Sequence, residues 1–241
     1  MARFDLATFH AIIMIQPKVI YEDSNFLVIN KPAGLLVHSV PGKEMGPTLA
    51  DWAVKHYPEM KKVGDEPENR PGIVHRLDKD TSGIMVLARN QEYFEYLKSL
   101  FQGRKIEKKY LAWVRGVPPK NTATIDSPIG IRPGSIRRSI HSGKMAKEAV
   151  TDYVLKECRE HDGQRVCLLE VSPRTGRTHQ IRVHLASIGH PIVGDRVYGG
   201  KSKNKNPGQE KMMLHAFSLS FEIKPGRVVL FEASPPTGFG F

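Results

Sequence analysis

The chain has 241 residues, with 36 Lys and Arg against 25 Asp and Glu, a net charge of +11. That length is enough to bury a proper core, and 40% hydrophobic with 25% charged residues is globular composition, so wholesale disorder is excluded. No apolar run approaches the ~20 residues of a membrane span, and the apolar stretch "ATFHAIIMI" (7–15) lacks the flanks of a secretory signal. The expectation is therefore a cytoplasmic protein with no membrane association.

In chain order, the first β-rich runs are "FLVIN" (26–30) and "LLVH" (35–38), bounded by Asn, Lys and Pro. "TLADWAVKHY" (48–57) has a helical pattern. After the polar stretch 58–72 come "VHRLDKDTSG" (74–83) and a third strand, "GIMVLA". A helix is expected from about Gln91 to Gln102, with Asn90 as its cap, Phe94, Leu97 and Phe101 as its apolar stripe, and Gly103 where it stops. Further strands follow at "YLAWVRGV" (110–117), "AVTDYVL" (149–155) and "VCLLEV" (166–171). A third helix carries "HQIRVHLASI" towards Gly189, and "AFSLSFEI" and "RVVLFEA" close the sequence as strands. Several strands with few helices give an α+β class, with a mixed, largely antiparallel sheet and flanking helices. Candidate long loops are 38–47, 58–72, 131–147 and 199–211, and no composition shift marks a domain boundary.

The charge is unevenly placed: residues 101–150 hold eleven Lys and Arg against three acids. A basic excess gathered into one segment suits a phosphate backbone, although a solvated basic face would look the same. The two cysteines flank a candidate Asp162-Gly163 hairpin turn, which sets Cys158 opposite Cys167. In a reducing compartment they are expected to be free thiols packed as small hydrophobes.

Asp78-x-Asp80-x-Ser82-Gly83 imitates the start of a calcium loop, but its twelfth position is Arg89 where a bidentate Glu is needed. His179 and His184 lie five apart beside Arg177 and Arg182, a poor setting for a cation, so no metal is expected. Walker and nucleophile-elbow motifs are missing as well. What remains is a carboxylate in a basic setting, suited to nucleophilic or electrostatic work, or simply a turn cap.

Five segments in order carry a resemblance: "VIYEDSNFLVINKPAGLLVH" (19–38), "RPGIVHRLDKDTSGIMVLARN" (70–90), "RKIEKKYLAWVRG" (104–116), "SPRTGRTHQIRVHLASIGHPIVGDRVYGG" (172–200) and "MLHAFSLSF" (213–221). Together they resemble the RluA-type pseudouridine synthases, in particular the RluD-like branch, over roughly 19–235. The resemblance implies the pseudouridine synthase catalytic fold over 19–241, with a central active-site cleft and residues 1–18 as an N-terminal extension. It implies isomerisation of uridine in structured RNA, ribosomal RNA before transfer RNA, by a monomer using neither cofactor nor metal. Asp78 would be the essential aspartate of HRLDxxTSG, Tyr110 the active-site tyrosine, and Arg177 the basic residue that pairs with Asp78. Arg76 would help hold the flipped-out nucleotide. His75, Thr81, Ser82 and Gly83 would shape the loop, with Asp80 facing solvent.

Candidate phosphate contacts are Lys108, Lys109, Arg132, Arg137, Arg138, Lys144 and Lys147, each of which could equally be a plain surface charge. Two departures from the branch stand out. Fewer than 20 residues precede "VIYEDSNF", so the S4 RNA-binding domain usual there is not expected. "EIKPGRVVLFEASPP" also replaces the more usual His-Pro after the "LHA" strand. Two readings from other classes are a non-catalytic RNA-binding or chaperone protein and a metal-assisted RNA hydrolase.

Overall fold

The structure, a computed structural model, describes residues 16–39, 46–131, 137–140, 144–199 and 211–240. The chain forms two compact units. The first runs to Lys105 and takes back Phe231–Ser234, and the second comprises Ile106–Leu230 and Pro235–Phe241.

In the first unit, β1 (Lys18–Glu22), β2 (Phe26–Lys31) and β3 (Ser82–Ala88) pair antiparallel in that order. Asp23 Oδ1 accepts from the backbone N–H of Asn25 and Phe26, which closes the β1–β2 turn. β3 is buried along its whole length. Helix α1 (Leu49–His56) starts in a capping box: Thr48 Oγ1 accepts from Asp51 N–H, and the Asp51 carboxylate accepts from Thr48 N–H. Helix α2 (Gln91–Gln102) has the expected ends, with Asn90 Oδ1 accepting from Tyr93 N–H at 2.8 Å and Gly103 as C-cap. Its buried face comprises Tyr93, Phe94, Leu97 and Leu100, and Phe26 stacks on Tyr93 at 5.0 Å. Phe101 is only half-buried.

"LLVH" is not a strand. Leu35 and Val37 are buried, but the carbonyls of Leu36 and Val37 accept from Leu49 and Ala50 N–H. These carbonyls satisfy the orphan donors at the start of α1, so no ladder forms. An apolar run reports burial, and burial here belongs to an irregular segment.

The second unit has strand order β11-β4-β10-β9-β5, from β4 (Glu107–Arg115), β5 (Thr122–Asp126), β9 (Val150–His161), β10 (Gln164–Pro173) and β11 (Leu214–Lys224). The four pairings are antiparallel. β12 (Arg227–Glu232) pairs with β11. A separate small sheet, β7-β6-β8, joins β6 (Ile129–Ile131), β7 (Arg138–Ser139) and β8 (Lys144–Lys147). It rests on a small apolar cluster of Ile129, Ala149 and Val183, with Ile140 and Tyr198 against it. Helix α3 (Gln180–Ser187) buries Gln180 to Leu185 without a break, so it lies inside the unit rather than on its surface.

The β9–β10 hairpin turns at Asp162-Gly163, both with positive φ (49° and 67°), the backbone that a two-residue turn of this kind requires. Cys158 and Cys167 face each other as counted from that turn. They are not the expected free thiols but form a disulfide. Direct opposition, with Cα atoms 4.0 Å apart, already holds the two sulfurs within bonding reach.

Candidate active site

The Asp78 loop is tied down at both ends. Before it, Gly72 lies so close to β3 that an added Cβ would sit 2.4 Å from Ala88 O, and its φ of +68° also favours glycine. Ile73 bridges to Leu87, and His75 Nε2 accepts from Val86 N–H at 3.0 Å while its ring stacks on Phe101. Between these anchors Leu77 is buried, Asp78 half-buried, and Arg76, Lys79 and Asp80 exposed. Thr81 N–H donates to Asp78 O, and Thr81 and Ser82 are buried. Arg76 Nη1 lies 3.0 Å from His38 Nε2.

Beneath the loop is a residue that the sequence reading passed over. Lys31, at the end of β2, is fully buried, and its ammonium donates to the carbonyls of Pro32 (2.9 Å), Leu35 (2.9 Å) and Lys79 (3.1 Å). The last of these bonds ties the 32–35 turn to the Asp78 loop, with Gly34 N–H donating to Lys79 O beside it at 2.8 Å. Burial pushes the Lys31 ammonium down to about 7, against the pull of Asp80 and then Asp78, which raise it. The signal available in the sequence was a lysine ending the apolar run "FLVINK" just before Pro-Ala-Gly.

The second unit holds Tyr110 and Arg177. Tyr110 stands on β4 opposite Val171 and Ala216, half-buried against the core. Arg177 lies in the turn between β10 and α3. Its Nε donates to Glu148 O at 2.9 Å, and its backbone N–H donates to Gln180 Oε1 at 3.0 Å.

Gln180 belongs to a buried polar network. Its Oε1 also accepts from Thr175 Oγ1 (2.7 Å), and its Nε2 donates to Val150 O and Thr151 Oγ1 (3.0 Å each). His184 closes the network, with Nε2 2.9 Å from Ser127 O and Nδ1 2.9 Å from Thr151 Oγ1. A carbonyl can only accept, so Nε2 carries the proton and Nδ1 accepts from the Thr151 hydroxyl. Burial lowers the imidazole below its ordinary value, outweighing the Ser127 carbonyl and Asp126, so the neutral ring is favoured.

Further along, Arg182 grips Asp195 at 2.7 and 3.0 Å in a buried bidentate pair. Burial alone would raise the Asp195 carboxyl, but the Arg182 bonds and charge, with Tyr198 and Val197 N–H, hold it below the usual carboxylate range.

The basic candidates separate clearly. Lys109 pairs with Glu170 at 3.3 Å, whereas Lys108 is half-buried and desolvated. Arg137 and Lys147 are exposed, and Arg138 donates its backbone N–H to the Tyr198 hydroxyl at 2.9 Å. Lys144 lies on β8, its side chain outside the described residues, as Arg132 is altogether. Asp78 and Arg76 belong to the first unit, and all the other candidates to the second. No helix among the described residues is long and apolar enough to cross a membrane.

A family model described as RNA pseudouridylate synthase matches residues 25–187, a span that includes Asp78, Tyr110 and Arg177. An uncharacterized RNA pseudouridine synthase of Aquifex aeolicus is 43% identical over 92% of the chain and 70% of its own length. The ribosomal large subunit pseudouridine synthase D of Pseudomonas aeruginosa is 45% identical over 78% of the chain, which spans 55% of that protein. Among solved structures, human RNA pseudouridylate synthase domain containing 1 is similar with a TM-score of 0.74 and 28% identity, over 92% of this chain and 84% of that one.

Proposed function

The chain belongs to the RNA pseudouridylate synthase family, whose members are isomerases, and from that premise we propose that it isomerises uridine in ribosomal RNA with Asp78 as its essential residue. Ribosomal RNA is favoured because relatives from Pseudomonas aeruginosa and Nitrosomonas europaea carry the name ribosomal large subunit pseudouridine synthase D. The reaction breaks the uridine N1–C1′ bond, turns the base, and forms a C5–C1′ bond. The C5 proton leaves to solvent and N1 takes up a proton, so atoms balance without an oxidant or a cofactor.

The observation that carries this reading is the Asp78 loop, fixed by Lys31, His75 and Gly72, with Asp78 itself only half-buried. A pinned loop positions a reacting group, which is worth orders of magnitude in rate. Asp78 attacks C1′ or takes the C2′ proton, and a primary deuterium isotope effect at C2′ separates the two. Tyr110 serves the base and its C5 proton, and Arg177 orients the carboxylate. Arg76 braces the flipped nucleotide, whose unstacking costs a few kcal/mol. Lys108, Lys109, Arg132, Arg137, Arg138, Lys144 and Lys147 contact phosphate. The enzyme works in this reading as a cytoplasmic monomer, with a central cleft and without metal.

The test uses ribosomal and transfer RNA transcripts carrying tritium at uridine C5. Release from ribosomal transcripts alone is the expected result. Release from transfer RNA alone would overturn the substrate assignment, and release from neither would count against the activity on free RNA.

A further inference from the structure

β4 presents two lysines side by side in very different settings. Strand alternation puts Glu107 and Lys109 on one face and Lys108 and Tyr110 on the other. Lys109 is exposed and its charge is met by Glu170, which Lys156 also approaches at 3.8 Å. Lys108, opposite Leu219 of β11, is half-buried, and no carboxylate among the described residues lies within ion-pair distance of it. Burial lowers its ammonium from the ordinary lysine value, with no charged neighbour to oppose that.

A desolvated ammonium without a counter-ion costs stability. Lys108, unlike Lys31 with its three carbonyls, has no acceptor among the described residues, so an incoming anion would offset that cost. Two residues along a strand are about 7 Å apart, a spacing that the base and phosphate of one nucleotide can bridge. Leu219 opposite, and the core against which Tyr110 packs, supply no anion of their own.

We propose that Lys108 is the phosphate-binding residue of the target nucleotide itself, its ammonium taking the backbone phosphate next to the base that meets Tyr110. This rests on the pseudouridine synthase reading and deepens it: Lys108 is singled out from the general basic surface as the cation that registers one nucleotide against Tyr110. Lys109, already neutralised by Glu170, contributes far less.

The experiment compares Lys108→Met, Lys108→Arg and Lys109→Met in binding a ribosomal RNA transcript across a salt series, with thermal melting of each free protein. For Lys108→Met the expected results are affinity about tenfold weaker and a log–log salt slope smaller by about one. Its melting temperature should be unchanged or raised, because a desolvated charge has been removed. Lys108→Arg should regain most of the affinity, and Lys109→Met should lose less than threefold.

A lysine with a merely structural role would give the opposite pattern, lower melting temperature with an unchanged salt slope, and that result overturns the proposal. Equal losses for Lys108→Met and Lys109→Met overturn it too. Tritium release by wild type, measured in parallel, keeps the two readings apart. Lys108-dependent binding without release contradicts the activity alone, and release with Lys108-independent binding contradicts this proposal alone.

Discussion

The Asp78 loop and the Arg177 turn are both held by buried polar groups, but by opposite means. Under Asp78 the anchor is a charge: the Lys31 ammonium donates to three carbonyls inside the first unit. Behind Arg177 the anchor is neutral: Gln180, Thr175, Thr151 and His184 pass hydrogen bonds among themselves, with the proton positions set by Ser127 O. A charged anchor binds more strongly per bond but titrates above neutrality, whereas the neutral network is weaker per bond and steady in pH until His184 titrates, below neutrality. The two loops should therefore respond to mutation and pH in different ways.

The signs follow from linkage. The folded-state value of Lys31, about 7, lies below the ordinary lysine value of 10.5, so between them the unfolded chain binds more protons. Lys31 thus makes stability rise with pH across that window and fall as pH drops towards about 7. His184 is also lowered in the folded state, from 6.5, so its contribution is present above that value and is lost as pH falls below it. The windows do not overlap: Lys31 governs above neutrality and His184 below.

The largest effect on this comparison should come from Arg177→Ala, with turnover at saturating RNA down roughly a thousandfold, the scale of losing one well-placed catalytic donor. Normal turnover would remove Arg177 from the catalytic set. Lys31→Met should cut turnover about a hundredfold by loosening the Asp78 loop. It should also abolish the rise in stability between about pH 7 and 10, which chemical denaturation at a series of pH values would read. A surviving rise would assign that window to another group.

Gln180→Leu should lower turnover about tenfold with little change in KM, because it frees the Arg177 backbone without touching RNA. Its pH profile should parallel that of wild type above neutrality, and a new slope there would mean the two anchors are not independent. Smallest in its effect on bound-state turnover is Arg137→Gln with Arg138→Gln. Affinity should weaken and the salt slope fall by about two, with turnover of the bound enzyme unchanged. Unchanged affinity would remove β7 from the RNA-binding surface.

What the sequence showed plainly were features with local punctuation. Helix α2 is bracketed by Asn90 and Gly103, and the β9–β10 register follows from Asp162-Gly163, because both depend on neighbours a few residues away. What it hid depends on tertiary context. Lys31 reads as a surface residue until three carbonyls from Pro32, Leu35 and Lys79 converge on it. "LLVH" reads as a strand until α1 claims its carbonyls, and the short exposed β1 and the polar β5 carry little pattern at all. For the thiols the geometry was legible and the chemistry was not: Cys158 and Cys167 were expected to oppose each other, and they are bonded. For the site, HRLDxxTSG and TGRTHQIRVH singled out Asp78 and Arg177, but the groups that hold those two residues come from β2, Val150–Thr151 and Ser127, far away in sequence.

The central claim is that Asp78 performs the isomerisation, and tritium release from uridine C5 of a ribosomal RNA transcript tests it most directly, with wild type and Asp78→Ala run side by side. The account predicts release by wild type and none above background by Asp78→Ala, with both proteins folded and binding the transcript alike. Release by Asp78→Ala at the wild-type rate would contradict it.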